Sequence, residues 1–100
     1  MFDSRLNVEI IPSARREIKK LSHVDILMVK EVISYLEINL FPEGCKKIHG
    51  YPESVYRIRT NDNRYRIVYK ADSKTKKAVI LRVALRKDVY KKLHKLIKRV

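Results

Sequence analysis

Polar and apolar positions alternate most clearly in two short runs on either side of Thr60-Asn61-Asp62-Asn63. In residues 55–60, Tyr56 and Ile58 alternate with Arg57 and Arg59; in residues 64–71, Tyr65, Ile67 and Tyr69 alternate with Arg66, Val68 and Lys70. A strand sends successive side chains to opposite faces, so these runs predict a β-hairpin turning at the polar tetrad. One face of that hairpin is mostly apolar and the other mostly cationic.

The remaining pattern supplies partners for the apolar face. Residues 6–11 read as a first strand ended by Pro12, with Leu6, Val8 and Ile10 on one side. Ser13 is placed to cap a helix through Leu21, striped by Ala14, Ile18 and Leu21. Ser22-His23-Val24-Asp25 has capping-box spacing and opens a second helix to about Asn39. Ile26, Val29, Ile33, Leu36 and Leu40 recur there at helical spacing, with Leu27 and Val32 widening the stripe. Phe41-Pro42-Glu43-Gly44 stops it. Residues 45–54 read as a loop, 72–76 as a second turn, and 79–84 as a strand apolar on both faces. Within that strand Arg82 has the parity of Ile80, Ala84 and Arg86. A last helix is expected from Asp88, with Val89, Leu93, Leu96, Ile97 and Val100 inward and Lys91, Lys92, Lys95, Lys98 and Arg99 outward. The order βααβββα describes an α+β fold: a small, mostly antiparallel sheet against two N-terminal helices, closed by a C-terminal helix. At 100 residues, the chain has room for one such domain, spanning 1–100.

Charge moves the reading from fold towards function. The formal net charge is +13, and residues 1–45 are nearly neutral, so the whole excess lies in the half that holds the hairpin. One-sided charge of this kind suits a polyanionic partner, nucleic acid or an acidic protein, better than a merely solvated surface. The single cysteine, Cys45, provides no disulfide framework or thiol-rich metal site, and no two histidines have ligand spacing. No metal site and no cofactor is expected. No apolar run approaches the ~20 residues of a membrane span and no signal-peptide core is visible, so a cytoplasmic protein without membrane contact is expected.

Several blocks are similar to a known family: Lys47-Ile48-His49-Gly50, Tyr56-Arg57-Ile58-Arg59, Tyr65-Arg66-Ile67-Val68-Tyr69, and Ile80-Leu81-Arg82-Val83 followed by Arg86-Lys87-Asp88-Val89-Tyr90. On these the chain resembles the RelE/ParE toxin superfamily, and within it the RelE-like mRNA interferases. The resemblance implies the toxin of a type II toxin–antitoxin system. Such a protein is a metal-independent, ribosome-dependent endoribonuclease in which the substrate's 2′-hydroxyl attacks the adjacent phosphate. It also implies a cognate antitoxin as partner, in a hetero-oligomer, with ribosome and mRNA as targets. The family's catalytic positions map onto Arg57, Arg59, Arg66, Arg86 and Tyr90, while Lys47, Arg64, Arg82, Lys87 and Lys91 are expected to contact RNA. Arg57 and Arg59 stand where relatives often carry lysine, and an arginine is a poor general base. That duty falls to Tyr90, Lys87 or His49. The alternatives are a ParE-like gyrase inhibitor, or a member that binds RNA or antitoxin without cutting.

Overall fold

The computed structural model describes residues 7–51 and 54–98. The elements are β1 (Asn7–Ile10), α1 (Pro12–Lys19), α2 (His23–Ile38), β2 (Lys46–Lys47), β3 (Val55–Arg59), β4 (Tyr65–Asp72), β5 (Lys77–Leu85) and α3 (Leu93–Lys98). The sheet order is β1-β5-β4-β3-β2, with β1 parallel to β5 and every other pair antiparallel. Leu6, Arg99 and Val100 lie outside the described residues. Among the described residues no helix is long and apolar enough to cross a membrane.

Of the two leading helices, one starts where the sequence predicts and one does not. Ser22 caps α2 as its spacing predicts, its Oγ accepting the Asp25 N–H at 3.2 Å. Ser13 does not cap α1: Ile11 holds the N-cap position without a side-chain bond, and Pro12 lies inside the first turn. Proline has no N–H to leave unpaired there and its fixed φ already suits a helix, so it begins α1 as well as ending β1.

Two cores lie on opposite faces of the sheet. Ala14 of α1 and Val29, Val32 and Leu36 of α2 pack with Ile58, Ile67, Tyr69, Ile80 and Val83. Leu27, expected in that stripe, is 51% exposed, because α2 presents its Val29-Val32-Leu36 row to the sheet and leaves Leu27 on the wet flank. The second core joins Ile48, Val55, Val68 and Leu81 to Val89, Leu93 and Ile97. The face expected to be mostly cationic is therefore divided: α3 and the turns before it cover one part, and the arginines occupy the rest.

The parity of Arg82 is corrected by a bulge. Val68 pairs with Arg82, but the next residue, Tyr69, pairs with Ile80, so Leu81 has no opposite number. Two successive residues of β5 then share a face. Leu81 and Arg82 both belong to the α3 side, and Ile80 lies on the other. Arg82 Nε and Nη2 donate to Glu17 Oε2 at 3.2 and 2.7 Å, and its Nη1 donates to the carbonyls of Asp88 and Lys91. That explains the late start of the last helix, expected from Asp88 but formed only at Leu93. Arg82 takes carbonyls that a continuous helix would use internally, and Lys92 adopts a left-handed φ of 58°.

Tyr69 anchors the larger core. It is fully buried, stacks on Tyr56 and donates to the Leu40 carbonyl at 2.6 Å. Burial, with the Cys45 thiol adding to it, pushes its phenol well above the ordinary value of 10.0. Tyr65 is raised too, first by its bond to Asp25 and then by burial. Both phenols resist ionisation only when folded. Their contribution is complete below the ordinary tyrosine value and is lost as pH rises above it. Urea midpoints are therefore expected to hold below roughly pH 10 and fall beyond it. Tyr69→Phe should cost about 1–2 kcal/mol at neutral pH and flatten that alkaline fall. An unchanged alkaline slope in the variant would remove Tyr69 from the explanation.

Candidate nucleic-acid interface

The hairpin turn sets the geometry of the cationic region. Thr60 Oγ1 donates to Asp62 Oδ1 at 2.6 Å and accepts the Tyr65 N–H at 3.2 Å. Asp62 also accepts the Arg64 N–H, and these bonds hold its carboxyl below the usual range. Asn63 has a left-handed φ of 66°, a conformation asparagine tolerates better than most residues. Its two oxygens face two arginines: Oδ1 accepts from Arg59 Nη1 at 3.2 Å, and the backbone carbonyl accepts from Arg66 Nη1 at 3.1 Å.

From this turn the strands carry the guanidinium groups into one cleft. Arg59 and Arg66 are direct cross-strand partners, and Lys46 is the partner of Arg57. Arg86 and Tyr90 come from the turns after β5. Lys46, Arg57, Arg59, Asn63, Arg66, Arg86 and Tyr90 together line a cleft of about 310 Å³. Like charges directly opposite each other in a sheet cost stability. Among the described residues no carboxylate lines the cleft, and none pairs with Arg57, Arg59, Arg66 or Arg86. Arg66 bears most of the strain. It is only 5% exposed, and burial followed by the charges of Arg59, Arg57 and Arg86 lowers its pKa from the ordinary arginine value. Fixed cations without counter-ions form a preorganised anion site. Planar guanidinium forks match the paired oxygens of a phosphodiester.

The cleft gathers all five of the expected catalytic side chains: Arg57, Arg59, Arg66, Arg86 and Tyr90. The expected RNA contacts are more scattered. Arg64 and Lys87 border a shallower depression that shares Arg86 with the cleft, although Arg64 also reaches Asp25 Oδ1 at 3.1 Å. Arg82 is not in the cleft, being tied to Glu17. Lys91 pairs with Asp88 and lines a separate groove of about 250 Å³ beside α1. Lys47 is exposed and, as the neighbour of Lys46 in a strand, faces away from the arginines. His49 is exposed and does not line the cleft.

Two lining residues escaped the sequence reading. Lys46 was hidden because β2 is two residues long, too short to show a period. The usable signal was Ile48, which lies in the core on the arginine side and has the same parity as Lys46. Asn63 gave no sign beyond its turn position. Among the described residues no group of three or more His, Cys, Asp or Glu is placed to hold a metal ion.

No family model matches the chain, and no curated protein matches it in sequence. Solved structures do match. A double-arginine mutant of the E. coli toxin RelE in its free state is similar with a TM-score of 0.75 at 18% identity, covering 96% of this chain and 98% of that one. The RelBE2 toxin–antitoxin complex from Mycobacterium tuberculosis gives 0.70 at 25% identity, over 82% of this chain and 99% of that one. The archaeal RelE–RelB complex from Pyrococcus horikoshii gives 0.70 at 21% identity, over 85% and 99%. The five-stranded sheet, the two leading helices and the closing helix are thus RelE-like, and the chain has the fold of the RelE toxins.

Proposed function

We propose that this chain is the toxin of a type II toxin–antitoxin pair, acting as an endoribonuclease on messenger RNA at the ribosome. The observation that carries the reading is the cleft itself: four guanidinium groups, without a carboxylate partner among the described residues, and a tyrosine around one spot on a RelE-like fold. Neighbours solved as complexes with RelB antitoxin support an antitoxin partner here too. An acidic segment laid over the cleft would neutralise its arginines.

In the proposed reaction, a 2′-hydroxyl attacks the neighbouring phosphorus and the 5′-oxygen departs. This leaves a 2′,3′-cyclic phosphate on one fragment and a 5′-hydroxyl on the other. Negative charge grows on the phosphoryl oxygens as the five-bonded transition state forms. Arg66, held at the floor by the Asn63 carbonyl, and Arg86 at the wall meet that charge more strongly than the ground state's. Arg57 and Arg59 hold the flanking backbone. Tyr90 is 43% exposed at the rim, where its ring can stack on a base.

A translation extract primed with a defined message tests the reading: added protein should produce ribosome-dependent cuts within codons. Intact message alongside inhibited DNA gyrase would select the ParE-like alternative. Binding to ribosomes without either effect would select an inactive member. Tyr90 separates within the same assay. Tyr90→Ala is expected to slow cleavage about tenfold or more by loss of stacking, and Tyr90→Phe only about threefold. Equal losses would transfer the role from the ring to the hydroxyl.

A further inference from the structure

We infer that Lys46 is the proton donor to the leaving 5′-oxygen; this rests on the endoribonuclease reading and assigns a chemical step that the arginines cannot perform. The cleft is lined by four arginines, Asn63, Tyr90 and Lys46. The departing oxygen must gain a proton. An arginine does not release one in a protein, and a carboxamide is not an acid of useful strength. Only Tyr90 and Lys46 remain, and the Lys46 ammonium already carries three transferable protons.

The position of Lys46 fits the task. The two-residue strand β2 places it opposite Arg57, on the arginine face of the sheet. Among the described residues it has no carboxylate partner, so its ammonium is not committed to an ion pair. Its long flexible stem lets the charge follow the leaving group, while the guanidinium groups stay fixed on the phosphoryl oxygens.

In the assigned step, the 2′-oxygen–phosphorus bond forms as the phosphorus–O5′ bond breaks. The electron pair of the broken bond stays on O5′, which takes a proton from Lys46 Nζ. The 2′-hydroxyl proton passes to water, and solvent reprotonates the amine.

A sulfur atom in place of the scissile 5′-oxygen supplies the test, because a thiolate leaves without needing protonation. Ribosomes carrying either message are mixed with wild type, Lys46→Ala and Lys46→Arg under single-turnover conditions. Lys46→Arg keeps the charge but cannot give up its proton. On the oxygen message both variants should be slower by about a hundredfold, the usual scale of acid catalysis. On the sulfur message both should come within about threefold of wild type, because no proton is required. A deficit that persists with sulfur, or Lys46→Arg matching wild type on oxygen, overturns the assignment alone. Wild type that cuts neither message overturns the endoribonuclease reading and the assignment with it.

Discussion

Arg66→Met is expected to lower cleavage by about a hundredfold or more while leaving the protein as stable as before or more so. The two effects share one cause. Arg66 is buried, faces Arg59 across the β3–β4 pair, and shares its cleft with no carboxylate among the described residues. Its charge is therefore costly in the empty protein, as the lowering of its pKa by burial and by Arg59, Arg57 and Arg86 indicates. Methionine is shorter but close in volume, and it carries no charge. Replacing a buried ionic group with an apolar one of similar volume is often neutral or stabilising. The bond to the Asn63 carbonyl is lost, but Asn63 is exposed and water can take that place. A gain of about 1 kcal/mol corresponds to roughly 4–8 °C in a domain of this size. Cleavage on programmed ribosomes and calorimetry on the same sample check both halves. A lower melting temperature with cleavage unchanged would make Arg66 a structural residue. Arg86→Ala, in the exposed wall, should lower cleavage with the melting temperature unmoved.

Asp25→Ala is expected to do the reverse, unfolding the protein more readily without touching the chemistry. Asp25 is 5% exposed in α2 and accepts from the Tyr65 hydroxyl at 2.8 Å and from Arg64 at 3.1 Å. It lies on the helical side of the sheet, away from the cleft. Removing the carboxylate deletes a charge-assisted bond and leaves the buried Tyr65 hydroxyl without an acceptor, while the exposed Arg64 returns to water at little cost. Together these come to about 3 kcal/mol, or a drop of roughly ten degrees or more. Adding Tyr65→Phe to the Asp25→Ala protein removes the orphaned hydroxyl and should restore about 1 kcal/mol, to be read by urea titration. A double variant no more stable than Asp25→Ala would locate the loss elsewhere. Cleavage below the melting transition should remain within about threefold of wild type.

The hairpin, the cap of α2 and both apolar stripes were legible because each repeats over enough residues to reveal its period. Tyr56, Tyr65 and Tyr69 turn inward as their alternation requires. Legibility failed where one residue breaks a period or an element is shorter than one. The unpaired Leu81 carried Arg82 to the other face from Ile80. The two residues of β2 concealed Lys46, while the resemblance pointed to Lys47. Lys92, together with the carbonyls taken by Arg82, held back α3 until Leu93. The α1 start was misread for a different reason, since Pro12 serves as a stop and a start at once. The arginines still converge on one cleft because they sit on β3, β4 and the turn after β5, where the pairings Arg59–Arg66 and Arg66–Ala84 lie on the hairpin side of the bulge and keep their register.

The most direct measurement is a structure of the protein on a ribosome whose message carries 2′-deoxyribose at the scissile nucleotide, so that it binds without being cut. The expected density places the scissile phosphate between Arg66 and Arg86, with Arg57 and Arg59 on the neighbouring backbone. A message that lies along the Lys91–Lys95 groove beside α1, leaving the arginine cleft empty, would contradict the assignment of that cleft as the site of cleavage.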